Sequence, residues 1–526
     1  MMVLNDQHMR LAELLDGFCD VEVNDAIFVS GLCLDSRTAQ PGECFVALDG
    51  EHHHGIDFAE QALEKGCNAV VYTSPQGDDA AQVQHKVEAL RTRGVALFAV
   101  DKLRAKLGEI AARFYQNPAN DMTVIGVTGT NGKTSCAMFI AAALSHVAKK
   151  HNQQACGVIG TIGNGLYGQL QTATHTTPDA IQLQRQFAEF RQQSVSHVAM
   201  EVSSHALQQQ RTTGVPFHTA IFTNLTHEHL DYHGDVTSYA AAKQQLFHSN
   251  GLRYAVINVD DETGRAFIRQ LPDSVRFLAY SLDAQTALET DAVFQDNVMY
   301  LGCATASGLT LTSKGIEMEL DSPWGCASLA SRLLGRFNAS NILAVVSTLL
   351  LQRLPMDVIV KAVKRMKPVA GRMQTFREKH QPLVVVDYAH TPDALEQVLV
   401  ALKEHCRGKL YCVFGCGGDR DTSKRAMMGA VAEQYADAIT LTNDNPRSEA
   451  PEDIIEQIIA GISDKQRVSI EKDRLTAITS AIHAASQKDV VLIAGKGHET
   501  CQIIGDNVLD FSDIDTVSAC LHEASR

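Results

Sequence analysis

At 526 residues the chain is too long for one hydrophobic core, so three domains are expected. A net charge of −15, 6% aromatic residues and a single Trp argue against a nucleic-acid surface, so an anionic substrate must meet local Lys and Arg clusters. No run approaches the roughly 20 apolar residues of a membrane helix, and the N-terminus lacks a signal-peptide core.

Residues 1–112 alternate β-like runs ("ECFVAL", "NAVVYT", "VALFAV") with helical stretches such as "FAEQALEKG". Within them, His52-His53-His54 has no Cys or partner cluster nearby, which argues against a metal site. Residues 113–366 open on "VIGVTGTNGKTS" (124–135) and continue through the strands "HVAMEV", "TAIFTN" and "RYAVINV". A Gly-rich, β-like segment follows at 292–336, and "KRMKPVAGRMQ" (364–374) reads as a basic linker. Residues 367–526 alternate regularly, with "PLVVVDYA", "KLYCVFG", "DAITLTND", "RVSIEKD" and "VVLIAGKG" as strands. Continuous apolar strand runs separated by helices predict a parallel, doubly wound sheet, with ligands beyond the strands' carboxyl ends at Asp387, Gly417, Asp444 and Gly495. The 13 Cys show no CxxC ladder or zinc spacing and read as buried thiols of a reducing, cytoplasmic compartment.

The stretch "GVTGTNGKTS" has the order of a phosphate loop: a strand, glycines that let backbone N–H groups converge, then a helix whose dipole favours anions. Lys133 would meet the β/γ-phosphates and Thr134 a Mg²⁺ ion. The first glycine of the strict motif is replaced by Val127. Glu201 ends the strand in "SHVAMEVSSHAL" and is either a metal-holding acid or a helix cap. The loop "TNLTHEHLDYHGD" carries His227, Glu228, His229, Asp231 and His233 and reads as a metal or phosphate contact rather than a solvated turn.

"TGTNGKTS", "EVSSHAL", "TNLTHEHLDYHG", "GRFNASN", "GRM", "VVDYAHTPDAL" and "FGCGGDRD" occur in the order and spacing of the Mur ligase family, which is similar to folylpolyglutamate synthetases. The resemblance spans the whole chain. It implies an α/β protein of three domains: an N-terminal α/β uridine-nucleotide domain (1–112), a central P-loop ATPase domain with a mostly parallel sheet (113–366), and a C-terminal Rossmann-like doubly wound domain (367–526). "LDSRTAQPGECFVAL" resembles the uridine domain of the family's third-step ligase, and "DNPR" (444–447) the signature of the branch that adds meso-2,6-diaminopimelate. The implied reaction joins that amino acid to UDP-N-acetylmuramoyl-L-alanyl-D-glutamate through an acyl phosphate, with ATP and Mg²⁺, in a cytoplasmic monomer. A lysine-adding relative, a folylpolyglutamate synthetase-like ligase and an ATP-hydrolysing switch are the alternatives.

By the same resemblance, ATP is held by Gly129, Thr130, Asn131, Gly132, Lys133, Thr134, Ser135, Asn338, Asn341, Arg372, Asp387 and His390. The catalytic set is Lys133, Glu201, His229, Lys243 and Arg372. Thr134, Glu201, His229 and an N6-carboxylated Lys243 would serve the metal, although by its residues alone Lys243 reads as a solvated helix lysine. The uridine substrate would meet Leu34, Ser36, Glu51, His52, His53, His175, Thr176, Thr177, Ser203, Gln209 and Arg211. His175 and Glu228 depart from the family pattern, where Asn and Asp are usual. The amino acid would meet Arg420, Asp444, Asn445, Pro446, Arg447, Gly495 and Glu499. Arginine forks suit its carboxylate and an acid suits its distal ammonium.

Overall fold

The computed structural model describes residues 8–19, 27–50, 53–75, 80–226, 228–312 and 315–523. They form two compact units, one of Met1–Gly126, Val147–Ala220 and Ala242–Arg253, the other of Val127–His146, Ile221–Ala241 and Tyr254–Arg526.

In the first unit, four parallel strands, Gly31–Cys33, Glu43–Ala47, Ala69–Thr73 and Leu97–Val100, lie side by side in that order. Cys44 and Val46 enter one core cluster while Phe45 and Ala47 enter another. That is the period-two alternation of a strand buried on both faces. Helix Leu103–Phe114 covers one face through Leu103, Leu107, Ile110 and Ala111. Helix Ala80–Thr92 covers the other through Val83, Val87 and Leu90, both at helical spacing. Strand His197–Glu201 of the same unit pairs in parallel with Gly157–Gly160, which continues antiparallel into Gly163–Leu166 and Gln169–Gln171.

In the second unit, strands Tyr254–Asn258, Arg276–Ser281 and Tyr300–Thr312 are parallel. The Gly-rich segment adds Gly315–Asp321 and Ala327–Ser331 as an antiparallel edge, with the alternating burial of a sheet half open to water. Residues at the start of that segment instead complete helix Ala284–Phe294, which Asp283 caps at its N-terminus through Thr286 N. The expected linker is shorter than its composition suggests. Lys364 and Arg365 belong to the last turn of helix Met356–Arg365, where cations oppose the helix dipole, and Gln374 already pairs in a strand.

The C-terminal sheet runs Gln374–Phe376, Leu383–Asp387, Val490–Ala494, Leu410–Phe414, Ala438–Leu441, Val468–Ile470, and is parallel except for its first strand. Val385, Cys412 and Leu492 face a core shared with helices Pro392–His405 and Ser423–Tyr435. Val384, Val386, Val413, Val491 and Ile493 face helices Arg474–Ala484 and Asp513–Glu523. Helices on both faces explain the unbroken apolar strand runs, and strand direction places Asp387 at, and Gly417, Asp444 and Gly495 just past, the carboxyl ends. All 13 cysteines are thiols and most are buried. Among the described residues no helix is long and apolar enough to cross a membrane.

Candidate active site

The phosphate loop is braced from outside. Asn224 Oδ1 accepts Asn131 N at 2.9 Å, and Thr223 Oγ1 donates to Asn131 O at 2.6 Å. Lys133 Nζ reaches back across the loop to Gly129 O at 2.9 Å and Thr130 O at 2.7 Å. Gly132 has φ +86°, and a methyl group built there would lie 2.5 Å from Asn341 Oδ1. Asn341 Nδ2 donates to Asn338 Oδ1 at 3.1 Å, and Asn338 Nδ2 donates to Leu334 O at 2.8 Å. Both asparagines are buried on helix Arg336–Leu351. This close approach is why the loop needs glycine at 132.

A cavity of ≈ 440 Å³ opens beside this loop, wholly within the second unit, and its walls include Asn131, Gly132, Ser135, Asn338, Asn341, Arg372, Asp387 and His390. Asp387 accepts Met373 N at 2.6 Å and Ala389 N at 2.8 Å, and burial pushes its carboxyl above the ordinary aspartate value. The Arg372 guanidinium lies 4.5 Å from the centre of the Tyr388 ring, and its buried Nε has no hydrogen-bond partner among the described residues. His390 Nδ1 donates to Tyr388 O at 2.8 Å, the tautomer that a carbonyl partner requires. The helix that follows, Pro392–His405, is capped by Thr391.

At the carboxyl ends of the C-terminal strands, Asn445 Nδ2 donates to Glu499 Oε2 at 2.9 Å. Arg447 takes a left-handed backbone, φ 52°, and its Nη1 donates to Gly418 O at 2.8 Å. A methyl group on Gly417 would sit 3.0 Å from Arg447 Nη1 and 3.8 Å from Arg420 Cγ, so both arginines border that glycine. Arg420 itself is exposed. Asp444 is nearly buried and its carboxyl is pushed up by burial, and a methyl group on Gly495 would lie 2.5 Å from its Oδ2. Pro446 closes the turn between Asn445 and Arg447, its carbonyl accepting Glu449 N at 3.1 Å.

In the first unit, a smaller cavity of ≈ 200 Å³ is walled by Leu34, His175, Gln209 and Arg211 with Arg104. Arg211 Nη1 donates to Thr177 O, Thr177 Oγ1 donates to Glu201 O, and Ser203 N donates to Thr177 Oγ1, tying those residues to the cavity. Thr176 Oγ1 lies 3.0 Å from Thr161 Oγ1. Ser36 is not part of the wall and donates to Gln61 Oε1 at 2.6 Å. His53 is exposed beside Asp57 and Phe58, also away from it. Glu51 and His52 lie outside the described residues.

Family models for the Mur ligase family catalytic domain, the Mur ligase middle domain and the Mur ligase glutamate ligase domain match residues 28–115, 127–349 and 371–497. The chain is 45% identical over 511 residues to the UDP-N-acetylmuramoyl-L-alanyl-D-glutamate--2,6-diaminopimelate ligase of Coxiella burnetii, covering 97% of this chain and 99% of the relative. The protein of the same name from Alkalilimnicola ehrlichii is 45% identical over 98% of this chain and 99% of its own. A solved structure of a ligase of that name superposes with a TM-score of 0.68 at 33% identity, covering 98% and 99%. The chain belongs to the Mur ligase family.

For a Mur ligase, the donor set can be tested against a hard cation, which takes oxygen ligands. Thr134 is buried at the start of helix Lys133–Lys150, and the buried Glu201 carboxylate accepts Thr161 N at 2.7 Å and Thr161 Oγ1 at 3.2 Å. Each by itself offers an oxygen of the kind Mg²⁺ takes. Glu201 is not the helix cap, since Ser203 caps helix Ser204–Gln208. Lys243 is 1% exposed near the end of helix Val236–Gln244, which overturns its reading as a solvated lysine. A buried ammonium cannot ligate a cation, whereas an N-carboxylated lysine offers oxygens. His229 has φ 58° and lies 3.7 Å from Glu228. Among the described residues no three His, Cys, Asp or Glu side chains gather as metal ligands. His54 accepts Ile56 N and faces Thr73 O, a local structural role.

Sequence reasoning on this Mur ligase missed Asn224, Tyr388 and Lys496. The tyrosine follows Asp387 directly, so an arginine-stacking ring was available in "VVDYAH". Nothing local marks Asn224 as the brace of Asn131.

Proposed function

We propose that this Mur ligase adds meso-2,6-diaminopimelate to UDP-N-acetylmuramoyl-L-alanyl-D-glutamate with ATP and Mg²⁺, as a cytoplasmic monomer with domains at 1–112, 113–366 and 367–526. The observation that carries the reading is that two arginines, Arg420 and Arg447, and two acids, Asp444 and Glu499, all follow three neighbouring strands, Leu410–Phe414, Ala438–Leu441 and Val490–Ala494. An amino acid with both a carboxylate and an ammonium at its far end uses both signs of charge. Lysine leaves Arg447 without a carboxylate partner, a loss that reaches about 10⁴–10⁵ in sites built for a missing polar group.

In this reading the ≈ 440 Å³ cavity takes ATP. Backbone N–H groups of residues 129–135 and Lys133 hold the phosphates, and Arg372, stacked on Tyr388, supplies a fixed positive charge. The γ-phosphoryl group passes to the peptide carboxylate, releasing ADP. The amine then attacks the acyl carbon, the amide forms, phosphate leaves, and the amine gives up a proton. Thr134 and Glu201, with His229 and a carboxylated Lys243, would hold Mg²⁺, which would neutralise developing phosphate charge. Leu34, Ser36, His53, His175, Thr176, Thr177, Ser203, Gln209 and Arg211 serve the uridine peptide, with Glu51 and His52 on the same stretch. Asn338, Asn341, Asp387 and His390 shape the nucleotide side, and Asn445, Pro446 and Gly495 shape the amino-acid side.

The test is phosphate release from ATP with the UDP-muramoyl dipeptide present. Release with meso-diaminopimelate and not with L-lysine is expected. Equal release with lysine overturns the acceptor assignment, and release needing neither substrate overturns the ligase.

A further inference from the structure

Lys496 takes no part in the reading above, yet its side chain is fully buried under the amino-acid cluster. Its Nζ donates to Asn445 Oδ1 at 3.0 Å and to Glu499 Oε2 at 2.9 Å. Ile503 N donates to the same Asn445 oxygen at 3.0 Å. Two donors on Oδ1 settle the orientation of the amide, because an amide turned over would put its own hydrogens against them. Nδ2 therefore faces Glu499 Oε2 and uses one of its two hydrogens there. Glu499 receives both Lys496 and Asn445 on Oε2, and its side chain is 31% exposed. Oε1 and the second Nδ2 hydrogen are left to meet a ligand, an acceptor beside a donor.

We infer that Lys496 is a positioning residue that sets amino-acid selectivity by holding Asn445 and Glu499 as one acceptor–donor pair for an amino-carboxylate. The inference rests on the ligase reading. An ammonium docks on Glu499 and the adjoining carboxylate on Asn445 Nδ2, with the Arg447 guanidinium bordering Gly417 nearby. A distal ammonium alone meets only half of this arrangement. The buried ammonium also offsets the two acids: Lys496 and Arg474 are the cations acting on Asp444, while Glu499 and Asp513 oppose them. Without Lys496, Glu499 keeps one hydrogen bond and is free to turn.

The test compares Lys496→Met, which has similar length and no donor, with Lys496→Gln, Glu499→Gln and the Lys496→Met/Glu499→Gln double variant. Phosphate release is measured in the full-length protein with each substrate varied. For Lys496→Met the KM for meso-diaminopimelate rises about tenfold or more while kcat stays within about threefold. The KM values for ATP and the dipeptide hold, and preference over L-lysine falls. Lys496→Gln recovers part of the loss, and decides on the same split if Lys496→Met does not fold. A residue acting through Glu499 adds nothing to its loss, so the double variant matches Glu499→Gln alone. Losses that multiply, or KM values that rise together for all three substrates, overturn the assignment. A wild-type protein that ignores meso-diaminopimelate overturns the ligase reading and this inference together, whereas unchanged variants of an active wild type overturn this inference alone.

Discussion

Arg474 and Asp513 meet in two parallel hydrogen bonds, Nε to Oδ1 at 2.7 Å and Nη2 to Oδ2 at 2.8 Å, with neither side chain exposed. The same guanidinium donates to Asn443 O at 3.3 Å and Ala494 O at 3.0 Å, the carbonyls just before Asp444 and Gly495. Helices Arg474–Ala484 and Asp513–Glu523 thus tie two strand ends of the amino-acid cluster together. Removing one partner leaves a buried charge, so Asp513→Ala should lower stability by about 3–5 kcal/mol. Replacing both, Arg474→Met with Asp513→Leu, should recover much of that. Denaturant midpoints at constant m-value check both.

Arg447→Lys keeps the charge and removes the fork. With Nη1 on Gly418 O, the rest of the guanidinium is the part that can meet a carboxylate. Losing a charged hydrogen bond there costs about 1.5–3 kcal/mol, so kcat/KM for meso-diaminopimelate should fall roughly 10- to 150-fold. Steady-state kinetics with ATP and dipeptide saturating measure it.

Gly132→Ala puts a methyl group against Asn341 at a backbone angle that L-residues avoid. The cost should be about 1–3 kcal/mol of stability, with the KM for ATP raised and that for the amino acid unchanged. Nucleotide titration by calorimetry and thermal unfolding separate the two effects.

Burial holds the imidazoles of His390 and His498 below the ordinary histidine value, with Lys424 beside the first and Arg372 beside the second adding to it. The unfolded chain binds these protons near pH 6.5 while the folded protein does not. Their contribution is therefore complete above about pH 6.5 and is lost as pH falls towards the depressed folded values. His498→Gln should flatten that fall. Urea midpoints followed from about pH 8 to about pH 5 test the sign.

Lys243 is buried near the end of helix Val236–Gln244. Lys243→Ala should reduce ligase activity at least about a hundredfold, the scale of losing one preorganised electrostatic contact. Added bicarbonate should raise wild-type activity and leave the variant unmoved. Full activity in the variant would remove the carbamate.

Much of this protein was legible as text because its strands and loops obey local rules. "VTGTNGKTS" must turn where its glycines stand, and runs such as "VVLIA" suit a strand covered on both faces, so the α/β class and the strand-end positions of Asp387, Asp444 and Gly495 followed from spacing alone. Burial and pairing do not follow from spacing, since they depend on residues far apart in the chain. Lys243 reads as a solvated helix lysine until packing covers it, and Lys496 is one more residue of "GKGHE" until Asn445, 51 positions away, accepts its ammonium. Likewise the Asn341 oxygen that makes glycine necessary at 132 comes from a distant helix. Local geometry is written in neighbouring residues, and only the folded packing decides which charge is buried and what it holds in place.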